Sequence, residues 1–298
     1  MKIAVTGSRG LIGTALVPSL AAAGHQVFRL VRSKPARVAD TIYWNPATSY
    51  VDTPGLEGIQ AVVHLAGEQI SGRWTPQKKR KILVSRTHGT HLLAEALGQL
   101  RQPPQVMICA SAIGFYGDRG EEWLQEDSPP GTGFLAEVCQ QWEAASEPAV
   151  QKGIRVVRLR IGILLSPQGG ALAQMLLPFR MGLGGTIGPG NQSMSWIAMD
   201  DLVAIILHAL ATPFLVGPVN AVSPNPVTNR EFVKTLGKVL SRPAFLPLPS
   251  LAVRLAFGEM GVELLLASAR VRPARLLSSG YAFRHPVLES ALRHLLGK

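Results

Sequence analysis

The chain has 298 residues, 47% of them hydrophobic and only 16% charged, which suits a compact globular protein with a sizeable core and excludes a disordered or fibrous one. Its formal net charge of +11 invites a nucleic-acid partner; the basic residues are scattered, however, and no aromatic-plus-basic recognition motif accompanies them, so no nucleic acid is expected. The two cysteines, Cys109 and Cys139, are far apart and form no Cys-x-x-Cys, which excludes a disulfide framework and leaves no metal expected.

The first strand covers Lys2–Thr6 and runs straight into Gly7-Ser8-Arg9-Gly10-Leu11-Ile12-Gly13. A buried strand ending in a glycine-rich turn that opens a helix is a dinucleotide-binding fingerprint. The turn needs positive φ, the pyrophosphate needs bare backbone, and the helix must pack closely on the strand. The helix N-terminus then offers its dipole and N–H groups to the phosphates. That helix is read over 11–23, closed by Gly24. A second strand follows over Gln26–Val31, then a loop holding Pro35, a short strand at 41–44 and another at 61–65 ending in Ala66-Gly67. Thr75-Pro76 opens a long helix over 76–100, stopped by Pro103-Pro104. A fifth strand is read at 106–110, a helix over 134–151 ended by Gly153, and a sixth strand at 154–159.

Alternating strands and helices predict an α/β fold, a Rossmann-type doubly wound parallel sheet. After about Leu165 glycines and prolines punctuate the chain. Helices at Met199–Ala211, capped by acidic residues, and Asn229–Leu240, capped by Thr228, precede a leucine-rich C-terminal stretch of helical pattern. The expected organisation is a dinucleotide-binding part at 1–165 and a smaller C-terminal substrate lobe at 166–298, intertwined with it. Met1–Val5 meets glycines before a signal-peptide core can form. The apolar stretch near 202–219 is broken by His208, Pro213 and Pro218. No membrane partner is therefore expected, and the cytoplasm is the expected location.

The second strand ends in Arg32-Ser33-Lys34 rather than Asp or Glu. A carboxylate there accepts hydrogen bonds from the adenosine ribose and repels a 2′-phosphate, whereas an arginine pairs with the phosphate and a serine donates to it. NADP(H) is the expected cofactor, with Arg9 inside the turn also within reach of the adenosine phosphate. The run Lys78-Lys79-Arg80-Lys81 reads either as a solvated helix face or as a patch steering phosphates to the cleft.

With the glycine turn, His64-Leu65-Ala66-Gly67 and Ser111 after the fifth strand, the chain resembles the extended short-chain dehydrogenase/reductases, relatives of nucleoside-diphosphate-sugar epimerases. Arg73-Trp74, Ser85-Arg86, 111–117, 133–139, Met194-Ser195-Trp196-Ile197 with Asp200-Asp201, and 220–227 narrow the resemblance to the atypical "epimerase family proteins" with a short C-terminal domain of unknown function. It extends over essentially the whole chain. It implies NADP(H) held by Gly7, Ser8, Arg9, Gly10, Leu11, Ile12 and Gly13, by Arg32 and Ser33, by Leu65, Ala66, Gly67 and Glu68, and by Arg86 and Arg160. It also implies a small-molecule substrate and a possible homodimer through the helices at 76–100 and 134–151.

Such enzymes use a Ser or Thr with a Tyr-x-x-x-Lys pair. Here the Tyr position falls near Leu135, the Lys position near Cys139 and an early Asn position near Arg86. No Tyr-x-x-x-Lys occurs, leaving Ser111 and Tyr116 as the catalytic candidates. Each has a plainer reading, strand-end hydrogen bonding for Ser111 and packing for Tyr116. Glu68 lines the substrate side or stays a surface carboxylate. Arg160, on a buried strand, needs a partner that is either a carboxylate or a ligand. Met194 and Trp196 read as packing between lobes, and Asp200 and Asp201 as helix caps rather than a catalytic pair. The expected function is an NADP(H)-dependent oxidoreductase acting on a small carbonyl or alcohol; the alternative is a non-catalytic NADP(H)-binding regulatory protein. Whether the chain is an enzyme is left open by the missing pair.

Overall fold

The structure, a computed structural model, describes residues 1–33 and 40–298. Lys34 and Pro35 of the loop read after the second strand lie outside the described residues. Eight strands form the central sheet: β1 (Lys2–Thr6), β2 (Gln26–Val31), β3 (Thr41–Asn45), β4 (Tyr50–Val51), β5 (Ala61–His64), β6 (Val106–Ala112), β7 (Arg155–Ile161) and β8 (Gly217–Ala221). Their order is β8-β7-β6-β5-β1-β2-β3-β4. Every neighbouring pair is parallel except β3 with β4. This is the doubly wound sheet expected from the alternation, with its order reversing between β1 and β5.

The period-two alternation of strand side chains decides which helix covers which face. Ile3, Val5, Val63, Ile108, Leu159 and Val219 point one way and meet Leu16 and Leu20 of the helix Leu11–Ala22 and Leu202, Ile205 and Ile206 of the helix Met199–Ala211. Ala4, Val62, Met107 and Val156 point the other way, against Leu93, Ala94 and Leu97 of the helix Pro76–Gly98. A third cluster holds Trp196, Met194, Phe232, Leu236 and Leu292 beneath the C-terminal helix Leu288–Leu296. Trp196 is fully buried and its Nε1 donates to the Asn225 carbonyl at 3.1 Å. Strand β8, from the second half of the chain, completes the main sheet, and the helix Met199–Ala211 packs on that sheet.

Three local expectations need correction. The helix read over 134–151 is two helices, Phe134–Ala144 and Glu147–Gln151. Pro148 lacks the N–H that a continuous helix would bond to the Ala144 carbonyl, and it stands instead in the first turn of the second helix, where that donor is not needed. The strands read at 106–110 and 154–159 run on to Ala112 and Ile161, taking Ser111 and Arg160 inside the sheet. Asp200 and Asp201 do not cap their helix: its N-cap is Ala198, with no side-chain capping bond. Asp201 is fully buried and instead accepts the Tyr281 hydroxyl at 3.0 Å and the backbone N–H groups of Arg284 and His285 at 2.8 and 2.9 Å. The Thr228 cap is present as a full capping box with Glu231. Among the described residues no helix is long and apolar enough to cross a membrane.

Candidate functional site

In an open parallel sheet the crevice beyond the carboxyl ends of the strands where the order reverses is the place for a ligand. Here it lies beyond Thr6 of β1 and His64 of β5. Gly7 has φ of 66°, and a Cβ there would stand 2.9 Å from the Leu65 carbonyl carbon. A Cβ on Gly13 would lie 2.3 Å from the Gly7 carbonyl oxygen and 2.6 Å from Ser8 Cα. The outer two glycines thus let the turn, the helix and the segment after β5 approach one another. Gly10 is the N-cap of the helix Leu11–Ala22, makes no side-chain cap bond and has no acidic residue in the first turn behind it. Arg9 and Gly10 are exposed, Ser8 is buried, and Leu11 and Ile12 are half-buried with their side chains against the core. An uncapped helix N-terminus fronted by bare glycine backbone fits a pyrophosphate. Arg32 and Ser33 are exposed just past the end of β2.

The other wall is built from β5. The Thr6 hydroxyl oxygen accepts the N–H groups of Leu65 and Ala66 at 3.0 and 3.2 Å and lies 2.8 Å from His64 Nδ1. His64 Nε2 lies 3.0 Å from the Thr90 hydroxyl, which also accepts Trp142 Nε1–H at 3.0 Å. This buried chain ties β1, β5 and two helices together and holds the Leu65–Gly67 segment against the glycine turn. Complete burial pushes the His64 pKa down to about 4, so the ring is neutral. The Arg86 guanidinium donates to the Glu68 and Ile82 carbonyls at 2.9 and 3.2 Å and stacks over Trp142 at 4.9 Å. Glu68 is half-exposed, and its hydrogen bond to Lys78 at 2.7 Å holds its carboxyl below the usual range. Arg86, Lys78 and Glu68 therefore fasten the loop after Gly67.

Ser111, Tyr116 and Arg160 lie in a second assembly along the same sheet. Ser111, Arg160 and Asn220 are register partners across β6, β7 and β8, so their side chains share one face. Arg160 is only 3% exposed and makes a two-point contact with Glu143 of the helix Phe134–Ala144, at 2.8 Å from Nε and 2.9 Å from a terminal nitrogen. The Ser111 hydroxyl donates to the same carboxylate at 2.7 Å. The remaining Arg160 nitrogen donates to the Tyr116 oxygen at 2.9 Å and to the Glu126 carbonyl at 3.0 Å, and the guanidinium lies 3.5 Å from the Phe115 ring centroid. Tyr116 is fully buried, and its single proton faces the Gln125 carbonyl at 2.9 Å and Asn220 Oδ1 at 2.7 Å. Burial raises its pKa despite the neighbouring Arg160.

At the positions matching the family's tyrosine and lysine, Leu135 has no acid group, and burial pushes the Cys139 thiol up to about 12. The backbone N–H groups of Phe134 and Leu135 are taken by the two oxygens of Glu263, both at 2.8 Å. The structure thus brings the glycine turn, the Leu65–Glu68 segment and Arg86 together at the switch point. Arg160 turns instead to a carboxylate in the assembly that also holds Ser111 and Tyr116. The roles of Glu143, Asn220 and the Thr6–His64–Thr90 chain escaped the sequence reading. The one available signal was an arginine on an apolar strand, which demands a buried partner.

Residues 3–221 match the profile of the NAD dependent epimerase/dehydratase family, and residues 248–295 match a domain of unknown function, DUF1731. The chain is 43% identical to epimerase family protein Mb2239 of Mycobacterium bovis, over 97% of this chain and 96% of that one. It is 39% identical to epimerase family protein SDR39U1 of Homo sapiens, over 99% and 100%. The crystal structure of the human protein (isoform 2), determined with NADPH, superposes with a TM-score of 0.90 at 36% identity over the full length of both chains. UDP-glucuronic acid 4-epimerase from Bacillus cereus, with UDP-glucuronic acid and NAD, shares the fold at a TM-score of 0.77 and 19% identity.

Proposed function

The chain belongs to the NAD dependent epimerase/dehydratase family, and we propose that within it this protein works as an NADP(H)-binding protein without a serine–tyrosine–lysine proton relay. The observation that carries the reading is the position of the two hydroxyls a relay would need. Ser111 donates to Glu143, and the Tyr116 proton faces Gln125 and Asn220, both inside a buried network around Arg160. A proton donor must reach the substrate oxygen; these two are turned into the protein interior. The cofactor wall, by contrast, is complete: glycine turn, uncapped helix N-terminus, the Leu65–Glu68 segment held by Thr6 and Arg86, and Arg32 with Ser33 for the 2′-phosphate.

NADPH supplies a hydride when bound, so turnover of a carbonyl with a proton from water is the competing reading, the oxidoreductase expected from family resemblance. Two measurements separate them. NADPH and NADH are titrated calorimetrically against the wild type and Arg32→Ala. NADPH is expected to bind at least about 10-fold tighter than NADH, the worth of a charge-assisted pair, and Arg32→Ala to erase most of that preference. NADPH oxidation is then followed across a panel of small aldehydes and ketones. No turnover is expected. Turnover that slows in Ser111→Ala or Tyr116→Phe overturns the proposal, as does equal affinity for the two cofactors.

A further inference from the structure

We propose that Asp200, His285 and His294 form a binding site for a divalent transition-metal ion, zinc above all, that fastens the C-terminal segment to the nucleotide-binding sheet. Asp200 opens the helix Met199–Ala211, which packs on the sheet, whereas His285 and His294 belong to the last fifteen residues of the chain. One ligand atom from each of the three lies within 4.8 Å of the other two. Asp200 Oδ2 is 2.5 Å from His294 Nε2 and 4.0 Å from His285 Nε2. The two imidazoles stack with centroids 4.3 Å apart and planes inclined by 22°, so both Nε2 atoms address the same carboxylate.

Two imidazole nitrogens and one carboxylate oxygen make a donor set suited to zinc and its neighbours. A tetrahedral ion with bonds near 2.1 Å needs its donors about 3.4 Å apart. That spacing lies between the short and long separations here, so side-chain rotation suffices. The backbone is already fixed: Asp201 accepts the N–H groups of Arg284 and His285, placing the loop that carries His285. His294 sits in the helix Leu288–Leu296, where Arg293 is engaged by Glu289 at 2.9 Å. A cleft of about 420 Å³ beside Asp200 and His294, bordered by Thr14, Ser166 and Gln168, leaves room for a water as fourth ligand. Binding the ion would replace the Asp200–His294 hydrogen bond with a bond from each residue to the metal.

The full chain, stripped with EDTA and dialysed, is titrated with Zn²⁺ by calorimetry at pH 7.5, and Co²⁺ is added separately to read its visible absorption. One equivalent is expected to bind, with the intense visible bands of a four-coordinate cobalt site and a rise in Tm. Asp200→Ala, His285→Ala and His294→Ala are each expected to weaken Zn²⁺ at least about 10-fold, in line with the loss known from ligand-shell mutations. His91→Ala, which removes a histidine paired with Glu95 on the helix Pro76–Gly98, leaves binding unchanged. Far-UV circular dichroism identifies any variant that fails to fold, and the other two substitutions then carry the test. No saturable uptake, uptake unaltered in the folded variants of the three residues, or uptake lost in His91→Ala overturns the proposal.

Discussion

Acidification tests the buried histidine chain most directly. His64 has a folded pKa of about 4 against an ordinary value of 6.5, because burial penalises its charged form. The unfolded chain therefore takes up a proton that the folded chain refuses. The stabilisation is fully present above pH 6.5, falls as the pH drops through the window, and levels off below pH 4. Integrating the two titrations gives a loss of about 1.4 kcal/mol at pH 5.5 and about 3 kcal/mol at pH 4, relative to pH 8. Glu68 and Glu289, whose carboxyls are held low by lysine and arginine partners, add losses of the same sign. The readout is therefore the difference between the wild type and His64→Gln, whose amide keeps a bond to Thr6 and does not titrate. Urea unfolding at pH 8, 5.5 and 4 is expected to show the wild type losing about 3 kcal/mol more than the variant over the whole range. Equal losses in the two proteins, or an NMR titration placing the His64 ring near 6.5, refute the reasoning.

Glu143→Leu leaves the Arg160 guanidinium buried without its carboxylate, and chemical denaturation is expected to show a loss of about 3–5 kcal/mol. Pairing it with Arg160→Met is expected to recover much of that, and a double variant no more stable than Glu143→Leu contradicts the assignment. Gly13→Ala drives a methyl into the Gly7 carbonyl, so the helix must retreat from the turn. Overpacking of this kind costs about 1–3 kcal/mol, and the displaced N-terminus is expected to weaken NADPH at least about 10-fold in the same titration. An unchanged affinity sinks the placement of the pyrophosphate.

Alternation of β1, the helix after it and β2 announced the parallel sheet, because strands covered on both faces must be short apolar runs and helices must return the chain between them. The glycine turn was equally legible, since the positive φ of Gly7 and the contact of Gly13 with Gly7 and Ser8 are demands met within seven residues. The helix at 134–151 broke just ahead of Pro148, a local signal that the periodicity reading passed over. Asp200 and Asp201 misled for a different reason. An acidic residue at a helix start looks like a cap, but their partners, Tyr281, Arg284, His285 and His294, lie some eighty or more residues away.

By itself, the sequence determined the doubly wound sheet, the nucleotide-binding turn, and the lack of a Tyr-x-x-x-Lys pair. These are set by neighbours along the chain, where residue type and spacing fix backbone geometry directly. What Ser111, Tyr116 and Arg160 do was decided only when β6, β7 and β8 came into register and set Ser111, Arg160 and Asn220 in one row facing Glu143. The same holds for His64, made neutral by burial rather than by any neighbour in sequence. A side chain's hydrogen-bond partner and its protonation state depend on what folding brings against it, and that is a property of the packed interior.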